Sequence, residues 1–322
     1  MPQPTNAFST YDARGIRENL SDIINRTEFE RTPFQANIGR AKVTQRIHEW
    51  QTQALAAPNE DNAVIEGDDA TMDAVTATAR VNNRTQISDK TATVTGTNEI
   101  VDKAGRESEM AYQRILKGLE LKRDVEKRLL ANKASVAGTD TQPSECGGFM
   151  AWITTNVSKA ATDGANGGFQ SSTNLVAART DGTLRQFQES HINDVMELAF
   201  TNGATPTVMT LPPGLKTRFS QFTGIADLRK EAGNGQATIV GGADAYISNF
   251  GTLTVVPSIY CSSRAVIIYD PSKVKKGVLR PLQSWELAKT GDSMKEQILE
   301  EYTLVVENEK AHALITDVQK SS

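Results

Sequence analysis

The side chains with the widest chemical reach in this chain are three histidines, two cysteines and two polar loops. His48, His191 and His312 stand far apart, and none has a second His, Cys or Asp at the spacing of an HExxH or CxxC metal site. A histidine so isolated is far more often a packing or surface residue than a ligand. Cys146 and Cys261 form no disulfide framework and suit a reducing compartment. The acidic "EGDD", Glu66–Asp69, has oxygens for a divalent cation but lacks the ligand rhythm of a calcium loop, so it reads as an exposed turn. The stretch "GNGQATIVGG", Gly233–Gly242, has the glycines that let backbone N–H groups approach a phosphate. It lacks the GK[ST] ending and the third glycine of GxGxxG, and it follows the charged "RKEA" rather than a strand. No serine sits in a GxSxG elbow. The residues therefore point away from an enzyme and name no catalytic residue, metal or cofactor. A nucleotide-binding enzyme using Gly233–Gly242 is kept as an alternative from another class.

The elements that surround these residues are unusual in proportion. The chain has 322 residues, 23% charged and 38% hydrophobic, with a net charge of -4. This is the composition of a folded protein without the basic excess of a nucleic-acid binder. The longest apolar run, "AVIIY" (Ala265–Tyr269), is far short of the roughly 20 residues of a spanning helix, and the first residues carry no apolar signal core. Residues 1–37 read as an arm, with Ile16, Leu20, Ile23 and Ile24 at helical spacing among alternating charges. Residues 38–105 read as extended. Val75, Ala77, Ala79 and Val81 alternate with polar neighbours, the period of a half-buried strand, and the spacing predicts a long two-stranded hairpin. Its tip holds six acids (Glu60, Asp61, Glu66, Asp68, Asp69, Asp73) and no base. A hairpin of this kind is marginal alone and must lie on something.

Residues 106–134 carry the longest helix pattern, Arg106–Lys133. Tyr112, Ile115, Leu116 and Leu119 share one face, while Leu121 and Val125 lie on roughly the opposite side. Each patch is expected to pack on a different layer of the same subunit. Residues 135–190 form a loop-rich insertion, 191–256 mix short helices and strands, and 257–322 are mostly strands. The order is mixed rather than a repeating βαβ, so the class is α+β. Much of the chain is protrusion, and protrusions make sense when neighbouring copies cover them.

The residues in order resemble the major capsid proteins of tailed bacteriophages with the HK97-like fold, of a podovirus type. The similarity runs through "TYDARGIRENLSDIINRTEFERTPF", "GGFMAWI" after the long helix, "INDVMELAFTNGATPTVMTLPPGLKTRFSQF", and the ending "EEYTLVVENEKAHALI". The resemblance implies an N-terminal arm (1–37), an extended loop with peripheral-domain strands (38–105), a spine helix (106–134), a mainly axial domain (191–256), and strands returning to the peripheral domain (257–322). It implies a subunit that self-assembles into hexamers and pentamers of an icosahedral shell around double-stranded DNA, without sequence-specific DNA contacts and without a membrane. Partners would be further copies, a portal protein, and separate scaffold and decoration proteins. The site would be the virion capsid, after assembly in the host cytoplasm. An encapsulin-like cargo shell of the same fold is the nearest alternative. Relatives that weld subunits use a lysine in the extended loop, and this chain has none between Lys42 and Lys90, which argues against such a weld.

The segment Lys103–Lys133 has nine basic residues against five acidic, a net of +4. This predicts that the acidic tip (Glu66, Asp68, Asp69) of one subunit approaches the spine (Lys122, Arg123, Lys127, Arg128), or another basic surface, of its neighbour. The competing expectation is local pairing, as Asp124 with Arg128 at i,i+4, with a solvated tip.

Overall fold

The five-residue run "AVIIY" explains the architecture best, because both of its faces are buried. A strand in that state needs a core on each side, and two cores are present. In the computed structural model, which describes residues 31–67, 69–70, 72–103, 105–222 and 244–321, the chain runs α1 (Pro33–Asn37), β1 (Gly39–Lys42), β2 (Ile47–Thr52), β3 (Ala79–Arg84), β4 (Gln86–Thr95), α2 (Gly96–Ile100), α3 (Glu109–Leu130) and α4 (Phe149–Trp152). The short strands β5 (Val157–Ser158), β6 (Gly168–Gln170), β7 (Leu175–Ala177) and β8 (Arg185–Gln186) follow. Then come α5 (Glu189–Thr201), β9 (Val208–Leu211), α6 (Pro213–Phe219), β10 (Ala245–Ser248), β11 (Gly251–Pro257), β12 (Ala265–Tyr269), β13 (Val274–Glu286), β14 (Ser293–Val306), β15 (Ala313–Thr316) and β16 (Val318–Gln319). The arm up to residue 30, Asp68 and the Gly233–Gly242 loop lie outside the described residues.

Two sheets organise the chain, a four-stranded one ordered β1-β13-β14-β4 and a six-stranded one ordered β10-β11-β9-β12-β15-β5. Ala265, Ile267 and Tyr269 of β12 point into a core shared with α1, α3, α4 and β14. Val266 and Ile268 point into the other, with Val195 and Met196 of α5, Leu215 of α6, and Met209 and Leu253 of the sheet. The last 66 residues were expected to return to one domain together, and here they divide. β13 and β14 join the four-stranded sheet, while β12 and β15 pair with each other inside the six-stranded one. Burial on both faces decides this, since β12 and β15 are wholly buried whereas the outer half of β13 is exposed.

The hairpin is shorter than its sequence period implies. β2 and β3 pair antiparallel from Ile47↔Arg84 to Thr52↔Ala79. Beyond Arg84 the chain leaves β2, and β4 pairs with β14 over ten residue pairs. The described residues between 53 and 78 form no strand, so Val75 and Ala77 stand outside the ladder. Among the described residues this segment is bare: Leu55 is 99% exposed, Met72 100% and Val75 96%. Alternation needs a second surface to become a strand, and the described residues offer none there. The base of the hairpin is well anchored. Trp50 packs on Trp152 with ring centroids 5.4 Å apart, and Trp152 stacks on Phe169 at 6.0 Å.

The long helix is α3, three residues shorter at each end than its charged pattern. Ser108 sets its start, accepting the N–H of Ala111. Glu99 of α2 takes the N–H groups of Glu109 and Met110, satisfying two more of the donors that a helix start leaves open. Met110 packs on Ala92 and Val94 of β4, and Val125, Leu129 and Leu130 enter the first core. Burial of the Leu121–Val125 side follows the sequence reading, and the other patch departs from it. Ile115 is 60% exposed, and Tyr112, Leu116 and Leu119 are only half-buried. The helix lies along β4, and among the described residues no further layer meets the face turned from that strand.

Candidate assembly surfaces

Each histidine has a packing role. His48 leans on Trp50, His191 closes the N-terminal turn of α5 through its Nδ1 and the N–H of Gln188, and His312 accepts the N–H of Asp270. Burial holds His312 down at about 3, so its ring stays neutral. Cys146 and Cys261 are both buried, and burial raises both thiols, Cys261 to about 12. Among the described residues no three His, Cys, Asp or Glu side chains gather as a metal site would, and no helix is long and apolar enough to cross a membrane.

Most charged residues of α3 have partners within the subunit. Its acids are all engaged. Glu109 pairs with Arg106, Glu120 with Lys117 at 2.9 Å, and Asp124 with Lys90 of β4 at 2.7 Å. Glu126 is fully buried and accepts the N–H groups of Phe34 and Gln35 at 2.7 and 3.0 Å. Thr32, the N-cap residue of α1, gives no side-chain cap, so Glu126 supplies one from the spine. Burial raises the Glu126 carboxyl, opposed by the amides of Gln35 and Phe34 and by Lys276. Lys276, lowered by burial, bonds Gln35 at 3.1 Å and Glu300 at 2.6 Å. The root of the arm is thus clasped to the spine by a buried polar chain.

Among the basic residues, Arg128 has partners within its own subunit. It turns inward to Glu145 at 2.9 Å and to the carbonyls of Ala134 and Cys146. The expected i,i+4 pair of Asp124 with Arg128 is replaced by these two longer-range pairs, because Lys90 and Glu145 are presented by elements packed on the helix. Lys122 and Lys127 are exposed, and Arg123 is half-buried. Glu66 and Asp69 are exposed on the extended segment, and Asp68 lies outside the described residues. Within one chain the structure does not join Glu66 to Lys122 or Lys127.

A second buried carboxylate closes the C-terminal end. Asp317, at a left-handed φ of 58°, accepts the N–H groups of Gly182 at 2.8 Å and Ala160 at 3.3 Å, with Arg179 and Arg264 at 3.4 Å. Burial works to raise its pKa, but those amides and Arg179 outweigh it and hold the carboxyl below its ordinary value. The sequence reading missed both carboxylates, since Glu126 reaches an N–H 92 residues away and Asp317 reaches N–H groups 135 and 157 residues away.

These surfaces belong to a known architecture. The profile of the SU10 major capsid protein family matches residues 3–319. The major capsid protein of Escherichia phage Phieco32 is 37% identical over 134 residues, 42% of this chain and 38% of that relative's length. The capsid asymmetric unit of Cyanophage A-1(L) superimposes with a TM-score of 0.65 at 11% identity, covering 97% of this chain and 99% of that one. An encapsulin complex from Synechococcus elongatus gives 0.59 at 9% identity, covering 98% of each chain. Shape alone is therefore shared by phage capsids and encapsulins, while the family match along nearly the whole length separates them. The chain has the HK97-like fold and belongs to the SU10 major capsid protein family.

Proposed function

We propose that this chain is the shell-building subunit of a tailed phage, assembling into the hexamers and pentamers of an icosahedral capsid that encloses double-stranded DNA. It acts by association rather than catalysis. The observation that carries this reading is the bare segment 53–78, whose Leu55, Val64, Ile65, Met72 and Val75 are 77% to 100% exposed. So much apolar surface on one strip belongs against a partner, and in a one-protein shell the partner is another copy. In this reading α3 is the spine of a peripheral domain with the four-stranded sheet, and the α5–α6 lobe is the axial domain. Assembly in the host cytoplasm, a portal, and separate scaffold and decoration proteins complete the proposal.

Charge sets register in this reading. Glu66 and Asp69 meet Lys122 and Lys127 of a neighbour, while Arg128 stays committed to its own subunit. Exposed pairs contribute roughly 0–1 kcal/mol each, so apolar burial carries the affinity. Electron microscopy of the expressed protein tests the whole proposal. Closed shells or ring-shaped capsomers support it, and a strictly monomeric particle at high concentration overturns it. Nucleic acid inside the shell, rather than protein cargo, separates a virus capsid from a cargo compartment. If Glu66→Lys with Asp69→Lys leaves assembly yield and its salt dependence unchanged, the charge register fails.

A further inference from the structure

We propose that Lys276 joins its Nζ to the side chain of Gln35 in an amide bond, a self-made covalent link between the arm root and strand β13 of one subunit.

The fold brings an amine and a carboxamide together. Lys276 Nζ donates to Gln35 Oε1 at 3.1 Å, across 241 residues of chain. Gln35 Nε2 donates to the carbonyl of Lys122 at 3.0 Å, which turns the oxygen side of the amide toward the lysine. Both partners are fixed at their roots. Glu126 holds the backbone N–H of Gln35 at 3.0 Å, and Lys276 sits in β13 between β1 and β14. Two groups held in contact react as one molecule, without the entropy cost of an encounter.

An amine attacks only when neutral, and a lysine in water is almost always charged at neutral pH. Lys276 is 8% exposed, and the ring of Tyr302 lies 5.4 Å from its Nζ. Burial lowers its ammonium, opposed by Glu300. Glu300 is itself buried and stands 2.6 Å from Nζ, placed to take the proton. Glu126 is buried beside the Gln35 side chain, and burial raises its carboxyl, so it is suited to carry a proton to a leaving group. Two carboxylates thus flank one lysine, one for each proton transfer.

The step balances without another reactant. Glu300 takes a proton from the Lys276 ammonium, and the neutral Nζ adds to Cδ of Gln35. Nζ then gives up a second proton, which Glu126 relays to Nε2. The Cδ–Nε2 bond breaks and ammonia departs, which picks up the proton held on Glu300. The sum is an ammonium and a carboxamide going to a secondary amide and an ammonium ion. It happens once per chain, so it is maturation of the subunit rather than turnover.

Two nearer pairings fit less well. Glu300 is closer to Nζ than Gln35 is, but as the counter-ion of the lysine it is a charged carboxylate and a poor target for an amine. Lys90 meets Asp124 at 2.7 Å, but those side chains are 34% and 54% exposed, so water keeps both charged.

Intact mass of the full chain, unfolded after storage in the folded state, tests the bond. The wild type should be lighter than its sequence by one ammonia, and Lys276→Arg, which keeps the charge and cannot attack, should have its full mass. Trypsin should leave the wild type uncut after Lys276 and yield one branched peptide carrying Gln35. On a denaturing gel the wild type should run ahead of Lys276→Arg, since the bond closes a large loop in the unfolded chain. Full mass in the wild type overturns the proposal, as does an ammonia loss that persists in Lys276→Arg. Loss of water with Lys276 joined to Glu300 would overturn the assignment of Gln35. In freshly pulse-labelled protein, Glu126→Gln should slow the mass change roughly a hundredfold. An unchanged rate would overturn the role given to Glu126.

Discussion

Glu126 on α3 holds the backbone N–H of Phe34 at 2.7 Å across 92 residues of chain. The same carboxylate takes the next N–H, of Gln35, at 3.0 Å. Phe34 is itself buried against Phe149 and Tyr269, at ring separations of 5.4 and 5.3 Å. One acid therefore fixes where the arm leaves the body.

Removing that acid should loosen the arm root first. Glu126→Ala leaves two N–H groups without acceptors and is expected to cost about 2 kcal/mol. Denaturant titration measures the loss, and faster trypsin cleavage after the exposed Arg31 localises it. Full stability with an unchanged cleavage rate would mean that the clasp is dispensable.

The two buried carboxylates should respond to pH with opposite sign. Burial raises Glu126, so the folded state binds its proton more tightly than the unfolded chain does. Its contribution is complete below the ordinary carboxylate value and is lost as pH rises through the raised folded value. Asp317 is held low, so its contribution is present above the ordinary value and is lost as pH falls through the lower folded one. Stability measured from pH 3 to 7 in Glu126→Gln and Asp317→Asn should lose these two slopes separately.

Asp317→Asn is also a test of charge alone, since asparagine tolerates the left-handed backbone. It leaves Arg179 buried without its anion, and a loss of about 3 kcal/mol is expected. A change under about 0.5 kcal/mol, the range of neutral surface substitutions, would show that the two backbone N–H groups matter more than the charge.

Thiol reactivity reports on the first core. Cys146 and Cys261 are buried and raised in pKa, so Ellman's reagent should find almost no fast thiol in the native protein and both after unfolding. A rapid native reaction at either would place it at the surface.

Gly148 precedes α4 where a Cβ would lie 2.1 Å from the carbonyl oxygen of Ala131. Backbone cannot yield as a flexible side chain does, so Gly148→Ala should cost about 3 kcal/mol and lower the soluble yield. Gly118→Ala on α3, where a Cβ meets nothing within 4 Å, is the matched control and should be neutral or stabilising.

How far the sequence could be read depends on the range of each interaction. The Leu121–Val125 stripe, the strands "AVIIY" and "EEYTLVV", and the stop of α5 before Gly203 were legible because each is written in local periodicity or a single φ. The end of the hairpin was not, because Val75 and Ala77 have a strand's period without a strand's partner. The apolar run "AVIIY" stood out in a region read as strands, but nothing local told that β12 was buried on both faces or that it belonged with β9 rather than β13. The acidic tip and basic spine were visible as charge, yet Arg128 was already bound to Glu145, a contact set by how the insertion folds back on the helix. Glu126 looked like one more charge on a charged helix, and only the fold placed α1 above it.

The long strand β14 has a mechanical consequence. Its 14 residues span about 46 Å and are hydrogen-bonded on both sides, to β13 and to β4. A pull along that direction loads two ladders in shear, so many bonds must slip together before anything moves. A pull that opens β2 from β3 breaks six residue pairs one after another, like a zip. The subunit is therefore stiff along one axis and compliant at the hairpin. In a wall under outward pressure, strain should collect in the hairpins and spare the strut.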